Sequence, residues 1–315
     1  MRKYIFLIIF FTLFNLTHYI FLKPYTIPDS TKIIINPGMK LREIASLLYQ
    51  EKIIKSEILF IFWAKINNLE KKFKFGEYVF ESNISLSMLS NKLLEGKSIF
   101  RKLTIIEGSS KYDLLMKLKQ LFPSASIDIN DIPEEIIANT YLYEATDNFE
   151  KIIKNISILS KKKAEFIWDN RNKNIPIKDI YEMFILASIV EKETAIENEK
   201  NLVAGVFYNR LNKKMRLQSD PTVEFSITLG ENKLGRKLLR KDLKFKSDYN
   251  TYIINGLPPG PICYPGVESM EGVANPSKTK YIYFVADKIN GGHLFSSNYE
   301  EHKKNIRKMR KIKNE

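Results

Sequence analysis

The sequence predicts an α+β protein in which helices alternate with short strands, preceded by one apolar N-terminal segment. Three observations predict this class. A strand–turn–helix unit occurs twice, one long helix occupies the centre of the chain, and short apolar runs separated by Pro and Gly fill the C-terminal third. Chains of this kind pack a few strands and helices into small layers.

The first element is an apolar segment from Tyr4 to Leu22 that contains no acidic residue, lysine or arginine. A transmembrane helix needs about 20 such residues. A cleaved signal peptide would have a shorter apolar region followed by a small-residue motif, which is missing here. Arg2 and Lys3 precede the segment, so the positive-inside rule places the short tail in the cytoplasm and the chain after Lys23 outside it. Residues 1–23 are therefore predicted to be a cytoplasmic tip and a single-pass anchor.

The next elements form a weak internal repeat. KIIINPGMKLREIASLL (32–48) aligns with KLTIIEGSSKYDLLMKL (102–118), and each copy reads as a β-rich run, a turn at Gly38 or Gly108, and an amphipathic helix. Coincidence is the alternative, because any α+β chain contains similar runs.

Between the two copies, residues 74–97 predict a strand at Tyr78–Phe80 and a helix that ends near Gly96. Ser85 or Ser87 is the expected N-cap of this helix. A first module is therefore expected over residues 30–98.

The remaining residues, 99–315, predict a larger α+β domain. Its expected elements are a helix over 148–171, a central helix from Ile180 to Thr194, short strands and loops from 214 onward, a strand over 281–287 and a basic helix over 298–312.

Composition excludes several function classes. The net charge of +14 comes mainly from scattered lysines in a chain without a DNA-binding motif or zinc-ligand spacing, so we expect no nucleic-acid partner and no metal. A biased overall composition explains the charge, and affinity for an anionic surface is the alternative. The lone cysteine, Cys263, allows no internal disulfide.

An ionisable side chain interrupts the apolar side of the central helix. At about 100° per residue, Glu191 projects among the apolar residues, whereas Glu182 and Glu193 fall well off that stripe. Apolar surroundings raise the pKa of a carboxyl group, and a glutamic acid protonated near neutral pH is suited to attack on a glycosidic bond. The alternative is an ion pair between Glu191 and a nearby base such as Lys192 or Arg210.

Five ordered blocks of the sequence carry a specific resemblance to a known family. They are LASIVEKETA (186–195), VAGVFYNRLNKKMRLQSDPTVEF (203–225), YNTYIINGLPPGPICYPG (249–266), ANPSKTKYIYFVAD (274–287) and GGHLFSSNYEEH (291–302). Together they closely resemble the endolytic murein transglycosylase family, also called the YceG-like family. The similarity continues N-terminally through GEYVF and KLTIIEG, so it covers nearly the whole chain.

The resemblance implies an activity and a catalytic residue. The first Glu of the VEKE block, Glu191, corresponds to the catalytic acid, which would cleave the bond between N-acetylmuramic acid and N-acetylglucosamine in peptidoglycan. The same carboxylate would then act as base on the muramic 6-hydroxyl and leave a 1,6-anhydro end. This reaction requires neither a metal nor another cofactor.

The resemblance also implies the organisation and the setting. Residues 30–98 would be a LysM-like module and residues 99–315 the transglycosylase catalytic domain. The expected location is the bacterial cytoplasmic (inner) membrane, with the catalytic domain in the periplasm. The expected partners are the glycan strands of peptidoglycan and the cell-wall synthases, or penicillin-binding proteins, that produce them.

Four further residues are implied to bind substrate near the cleft: Gln218, Asp220, Asn250 and Tyr252. Their side chains can hydrogen-bond to sugars or stack on them. Asp220 precedes a proline and equally fits a helix N-cap. His293, beside two glycines, fits a contact with substrate and a structural role equally well.

The chain departs from the family pattern at NTYLYEATD (139–147), where an expected Glu-Gly pair and a Pro-Asp-Thr run are replaced. Two alternatives to a lytic transglycosylase stay open. A lysozyme-type hydrolase would need a second carboxylate, for which Asp220 or Glu224 are candidates. A non-catalytic peptidoglycan-binding scaffold would follow if the altered loop had removed activity.

Overall fold

The described residues of the computed structural model are 4, 11–12, 15, 18–28, 30–96, 99–287 and 289–311. Most of the predicted anchor lies outside these residues. Within the described part of the chain, no helix combines the length and the apolar character needed to cross a membrane. The chain divides into two compact units, Met1–Leu103 with Leu142–Asn148 and Thr104–Tyr141 with Phe149–Glu315. The boundary predicted from the sequence lies slightly earlier, between residues 98 and 99.

The described residues of the first unit form two small antiparallel sheets and three α-helices, after a π-helical turn at His18–Leu22. The sheets pair β1 (Tyr25–Thr26) with β4 (Asn83–Ile84), and β2 (Thr31–Ile35) with β3 (Gly76–Phe80). The helices are α1 (Leu41–Gln50), α2 (Glu57–Ile66) and α3 (Leu86–Glu95). Strands β5 (Phe100–Thr104) and β6 (Thr140–Glu144) pair with each other.

Local sequence explains the limits of α3. The Ser85 side chain accepts a hydrogen bond from the backbone N–H of Met88, and Gly96 ends the helix in the left-handed conformation at φ +66°. The predicted N-cap and C-terminus are confirmed. Leu89 and Leu93 point into a core that also contains Phe60.

The two copies of the predicted repeat have the expected local structure. β2 leads through Gly38 to α1, and β5 leads through Gly108 to α4 (Lys111–Leu121). Both glycines have positive φ, +86° and +74°, which residues with a Cβ rarely adopt.

The second unit is mainly helical. After α4, its helices are α5 (Phe149–Asp169), α6 (Ile180–Glu193), α7 (Glu197–Asn212), α8 (Asp220–Thr228), α9 (Val267–Ala274) and α10 (Tyr299–Lys311). A hairpin of β7 (Tyr283–Ala286) and β8 (His293–Ser296) precedes α10. The expectation of only short strands and loops after residue 214 is wrong for α8 and α9, because both helices are too short to show a clear period in the sequence.

Helix α6 is the centre of this unit. All eight residues from Met183 to Val190 are buried, so the helix is covered on every side. Asp179 caps its first turn, and the chain turns to an extended conformation at Thr194, which places Glu193 in the last position of the helix.

Gly205 of α7 allows a close approach by the segment after α9. A Cβ at this position would lie 2.5 Å from the carbonyl oxygen of Ser277, whose N–H bonds to the carbonyl of Asn201 at 2.9 Å. Helix propensity alone would make Gly205→Ala stabilising by about 1 kcal/mol. We expect instead a net loss of about 1–3 kcal/mol, because the overpacked backbone has to move.

Urea denaturation would measure this change. The control is Asn212→Ala at the exposed end of the same helix, which should stay within about 0.5 kcal/mol of the parent chain. A stabilised Gly205→Ala variant would contradict the contact.

Candidate active site at the end of helix α6

Glu191 lies in a buried ion pair rather than in apolar surroundings. Both of its carboxylate oxygens are 3.2 Å from Lys200 Nζ, and Oε2 also accepts hydrogen bonds from the Gly266 N–H at 2.9 Å and from Ser269 Oγ at 2.6 Å. The side chains of Glu191 and Lys200 are 6% and 3% exposed. Every partner is a donor, so the arrangement suits a charged carboxylate that joins α6, α7 and α9.

The predicted apolar surroundings of Glu191 are therefore wrong, and the ion-pair alternative describes the geometry. The base is Lys200, not Lys192 or Arg210. A helical wheel drawn for one helix cannot represent a cation supplied by the next helix, which explains the error.

Glu193, two residues further along, lines an open polar cleft of about 430 Å³. Its Oε1 accepts a hydrogen bond from Ser219 Oγ at 2.5 Å. Burial raises the pKa of Glu193 to about 7; the nearby charge of Asp220 also raises this pKa, while the Ser219 hydrogen bond and the Arg210 charge oppose the increase. Burial therefore favours the protonated form of Glu193 at a higher pH than is usual for a carboxyl group.

The same cleft is lined by three of the residues predicted to bind substrate, Gln218, Asp220 and Tyr252. Gln218 and Asp220 are exposed, and Tyr252 is half-buried. These three side chains and Glu193 thus face one common space, although they come from α6, from the start of α8 and from a loop thirty residues later.

Buried Arg210 fixes the wall of the cleft next to Gln218. Its Nε donates to the carbonyl of Ile282 and its Nη1 to the carbonyl of Leu217, both at 2.7 Å, and the guanidinium lies 5.2 Å from the ring centre of Tyr283. Gln218 itself has φ +53°, a conformation that is uncommon for a residue with a Cβ. Arg210 therefore holds a strained segment whose side chain points to the cleft.

Asp220 is the first residue of α8, and Ser219 takes the N-cap position. Tyr252 Oη donates to Asp220 Oδ1 at 2.5 Å, and burial raises the pKa of this phenol, so Tyr252 stays protonated and remains a donor. The Ser219 N–H donates to Thr251 Oγ1 at 3.0 Å. These bonds join the 218–222 and 249–252 segments into one wall.

Asn250 does not fit its predicted contact with sugar. It is 0% exposed, its Nδ2 donates to the carbonyls of Leu243 and Phe245, and its Oδ1 accepts the Tyr252 N–H. The amide is fully used inside the protein. Its role is to hold the loop that presents Tyr252.

His293 has contacts that serve both of the roles left open for it. Its N–H and Nδ1 each lie 2.8 Å from a carboxylate oxygen of Glu199, which also accepts from Thr194 Oγ1 at 3.2 Å. This network joins the end of α6 to β8, and the His293 ring also lines the cleft.

Sequence reasoning missed Glu193, Arg210, Ser219 and Glu199. The available signal was the position of Glu193 at the end of the helix, immediately before the break at Thr194, where loops converge on a helix terminus. Within the described residues, no group of three or more His, Cys, Asp or Glu side chains is placed to hold a metal ion.

The unusual segment 139–147 is held by bonds within itself and to neighbouring parts of the chain. It forms β6 and a turn in which the Glu144 N–H donates to Asp147, and Tyr141 Oη donates to the carbonyl of Ile137. Its side chains thus contribute to local structure.

Comparison with known proteins assigns the family. Residues 33–308 match the YceG-like family. The chain is 32% identical to the endolytic murein transglycosylase of Bacillus subtilis (strain 168), over 93% of this chain and 89% of that protein. It is 27% identical to the endolytic murein transglycosylase of Streptococcus pneumoniae serotype 2 (strain D39 / NCTC 7466), over 86% of this chain but only 57% of the pneumococcal protein.

The fold agrees with this result. The crystal structure of the yceG-like protein lmo1499 from Listeria monocytogenes superimposes with a TM-score of 0.52 at 29% identity, covering 88% of this chain and 99% of that one. Because the family matches most of its length and the fold is shared, the chain belongs to the YceG-like family.

Proposed function

We propose that this protein is a peptidoglycan lytic transglycosylase in which Glu193 is the general acid and then the base. The observation that carries the proposal is the position of the Glu193 carboxyl group in the lining of a polar cleft, bonded to Ser219 and close to Asp220. Burial raises the pKa of this group to about 7, which suits an acid–base role. The relatives named endolytic murein transglycosylase supply the substrate class.

In the first step, protonated Glu193 donates its proton to the glycosidic oxygen between N-acetylmuramic acid and N-acetylglucosamine. The C1–O bond of the muramic residue breaks through an oxocarbenium-like transition state. The Ser219 hydroxyl, which donates to Glu193, stabilises the carboxylate that forms. Asp220 adds negative charge on the same side of the cleft, which favours the positive sugar.

In the second step, the Glu193 carboxylate takes the proton of the muramic 6-hydroxyl, and that oxygen forms a bond to C1. The product is a 1,6-anhydro end, no water is consumed, and Glu193 is again protonated. One carboxyl group therefore serves both steps, and its pKa near neutrality suits an acid that must also become a base.

Glu193 replaces Glu191 as the proposed acid on grounds of access and charge. The Glu191 carboxylate is enclosed by Lys200, Gly266 and Ser269. Glu193 lines the cleft, and among the described residues Ser219 is the one that donates a hydrogen bond to it. Glu191 is proposed to fix the end of α6 through its bonds to Gly266 and Ser269, so its removal acts on stability and on the position of Glu193, not on proton transfer.

The setting proposed here follows from the sequence. Residues 1–23 would anchor the protein in the cytoplasmic membrane, residues 30–98 would form a LysM-like module, and residues 99–315 would cut nascent glycan strands outside the cytoplasm, next to cell-wall synthases.

Product analysis tests the reaction. The purified full chain is incubated with peptidoglycan, and the soluble fragments are examined by mass spectrometry. Anhydro-muramic ends support the proposal. Reducing ends would indicate a hydrolase. Asp220 lines the cleft together with Glu193 and could serve as the second carboxylate that a hydrolase needs. A folded protein that binds glycan and releases nothing would be a scaffold.

The pH dependence provides a second test. Turnover is expected to fall as the pH rises through about 7, because the acid step requires protonated Glu193.

Stability should depend on pH in the same range. The folded-state pKa of Glu193 lies above the unfolded value of 4.5, so the associated stability is fully present below pH 4.5 and is lost as the pH rises through about 7. Thermal unfolding should therefore occur at lower temperature above neutral pH. In the Glu193→Gln variant, residue 193 cannot titrate, so this part of the pH dependence of the unfolding temperature should disappear. If the variant and the parent chain show the same pH dependence, the raised pKa of Glu193 is contradicted.

A further inference from the structure

Helix α2 in the first unit presents an exposed apolar face. Ile58, Phe62 and Ile66 are 79%, 53% and 62% exposed, and their spacing of four residues puts them in one stripe. Leu59 lies next to them, while Phe60 on the opposite side is completely buried. Four large apolar residues together on one face mark a surface that contacts another molecule or a membrane.

The charges around this face favour an anionic lipid surface. Lys55 precedes the helix, Lys65 lies within the stripe, and Lys40 and Arg42 line the shallow depression beside Phe62. Two acidic residues, Glu43 and Glu70, also line this depression, against the three basic residues Lys40, Arg42 and Lys65. An apolar stripe with flanking lysines is typical of helices that lie in the membrane interface.

The face also lies close to the end of the N-terminal apolar segment. Phe21 stacks on Trp63 of α2 with ring centres 5.0 Å apart. Lys23 lies 4.6 Å from the ring centre of Tyr19. Aromatic rings and lysines are the side chains that proteins place at the level of the lipid headgroups.

We propose that the face formed by Ile58, Leu59, Phe62 and Ile66 contacts the surface of a lipid bilayer that contains anionic lipids. The inference rests on the membrane anchor proposed above. It adds that the first unit itself contacts the bilayer surface, in addition to being attached to it by the anchor. The first unit would then lie against the membrane, and the glycan strands it binds would be those closest to the bilayer.

The test uses the full chain in vesicles of phosphatidylglycerol and phosphatidylcholine. A polarity-sensitive fluorophore is attached to single cysteines at Ile58→Cys or Phe62→Cys, with Asn91→Cys on the exposed side of α3 as the matched control. The native Cys263 is buried, and the labelled parent chain measures its background. Brominated lipid is then added as a contact quencher.

The expected result is emission at shorter wavelength and loss of intensity with brominated lipid at positions 58 and 62, but not at 91. Phosphatidylcholine alone should weaken both effects. Vesicle-bound protein whose labels at 58 and 62 behave like that at 91 would overturn the docking and leave the anchor standing. If the emission of the labels at 58 and 62 shifts as the protein density in the vesicles rises, and brominated lipid does not quench it, the face contacts a second copy of the chain and not lipid. Absence of vesicle binding would reject anchor and docking together. Transglycosylase activity on soluble glycan in detergent is measured separately and depends on neither.

Discussion

Replacing Glu193 with glutamine is expected to reduce the release of soluble fragments from peptidoglycan by about 100- to 10 000-fold, the usual contribution of a general acid–base group. The amide cannot give up a proton to the glycosidic oxygen or accept one from the 6-hydroxyl. It can still accept the Ser219 hydrogen bond and occupies the same volume, so we expect a folded protein that still binds glycan. The initial rate of fragment release measures the effect, and circular dichroism checks the fold.

The matched variant is Glu191→Gln, two residues away on the same helix. It keeps the Glu193 acid but leaves Lys200 buried without an opposing charge from Glu191, so it should lower stability more than Glu193→Gln does. Its folded fraction should retain turnover. If Glu191→Gln instead remains stable and loses all activity while Glu193→Gln stays active, the acid is Glu191, as the family resemblance implied.

This contrast shows which parts of the site the sequence could predict. The central helix, its capping and the elements around Gly96 follow from local rules, because a helix start, a left-handed glycine and an apolar period are encoded within a few residues. The chemical surroundings of a carboxyl group depend on residues far away in the chain. Gly266, which donates to Glu191, is one example.

Asn250 and Tyr252 show that the surroundings of a side chain can differ even between two residues of one loop. Both carry hydrogen-bonding side chains in one loop, and nothing in the sequence separates them. The structure buries the amide under the loop and leaves the phenol in the cleft, bonded to Asp220. Residue type alone therefore indicates which side chains can bind a sugar, while burial decides which of them have the surface to do so.

The second large effect concerns Lys200, and it acts on stability. Lys200→Met is expected to lower the free energy of unfolding by about 3–5 kcal/mol, because the buried Glu191 carboxylate would lose the opposing charge of Lys200. The Gly266 N–H and Ser269 hydroxyl would still donate to it, but neither neutralises its charge. Urea denaturation measures the loss, with Lys154→Met on the exposed face of α5 as a control that should stay within about 0.5 kcal/mol.

The double variant Lys200→Met with Glu191→Leu separates the cost of an unpaired charge from the net value of the pair. A buried ion pair gains little over apolar residues of similar size, so removing both charges should restore most of the stability lost in Lys200→Met. Turnover distinguishes the two roles further. Glu191 and Glu193 share the last turn of α6, and the bonds from Gly266 and Ser269 that fix this turn are lost with the Glu191 carboxylate. The double variant should therefore recover stability more fully than activity. Full recovery of both would show that Glu193 keeps its position without them, and a Lys200→Met variant as stable as the control would contradict the ion pair itself.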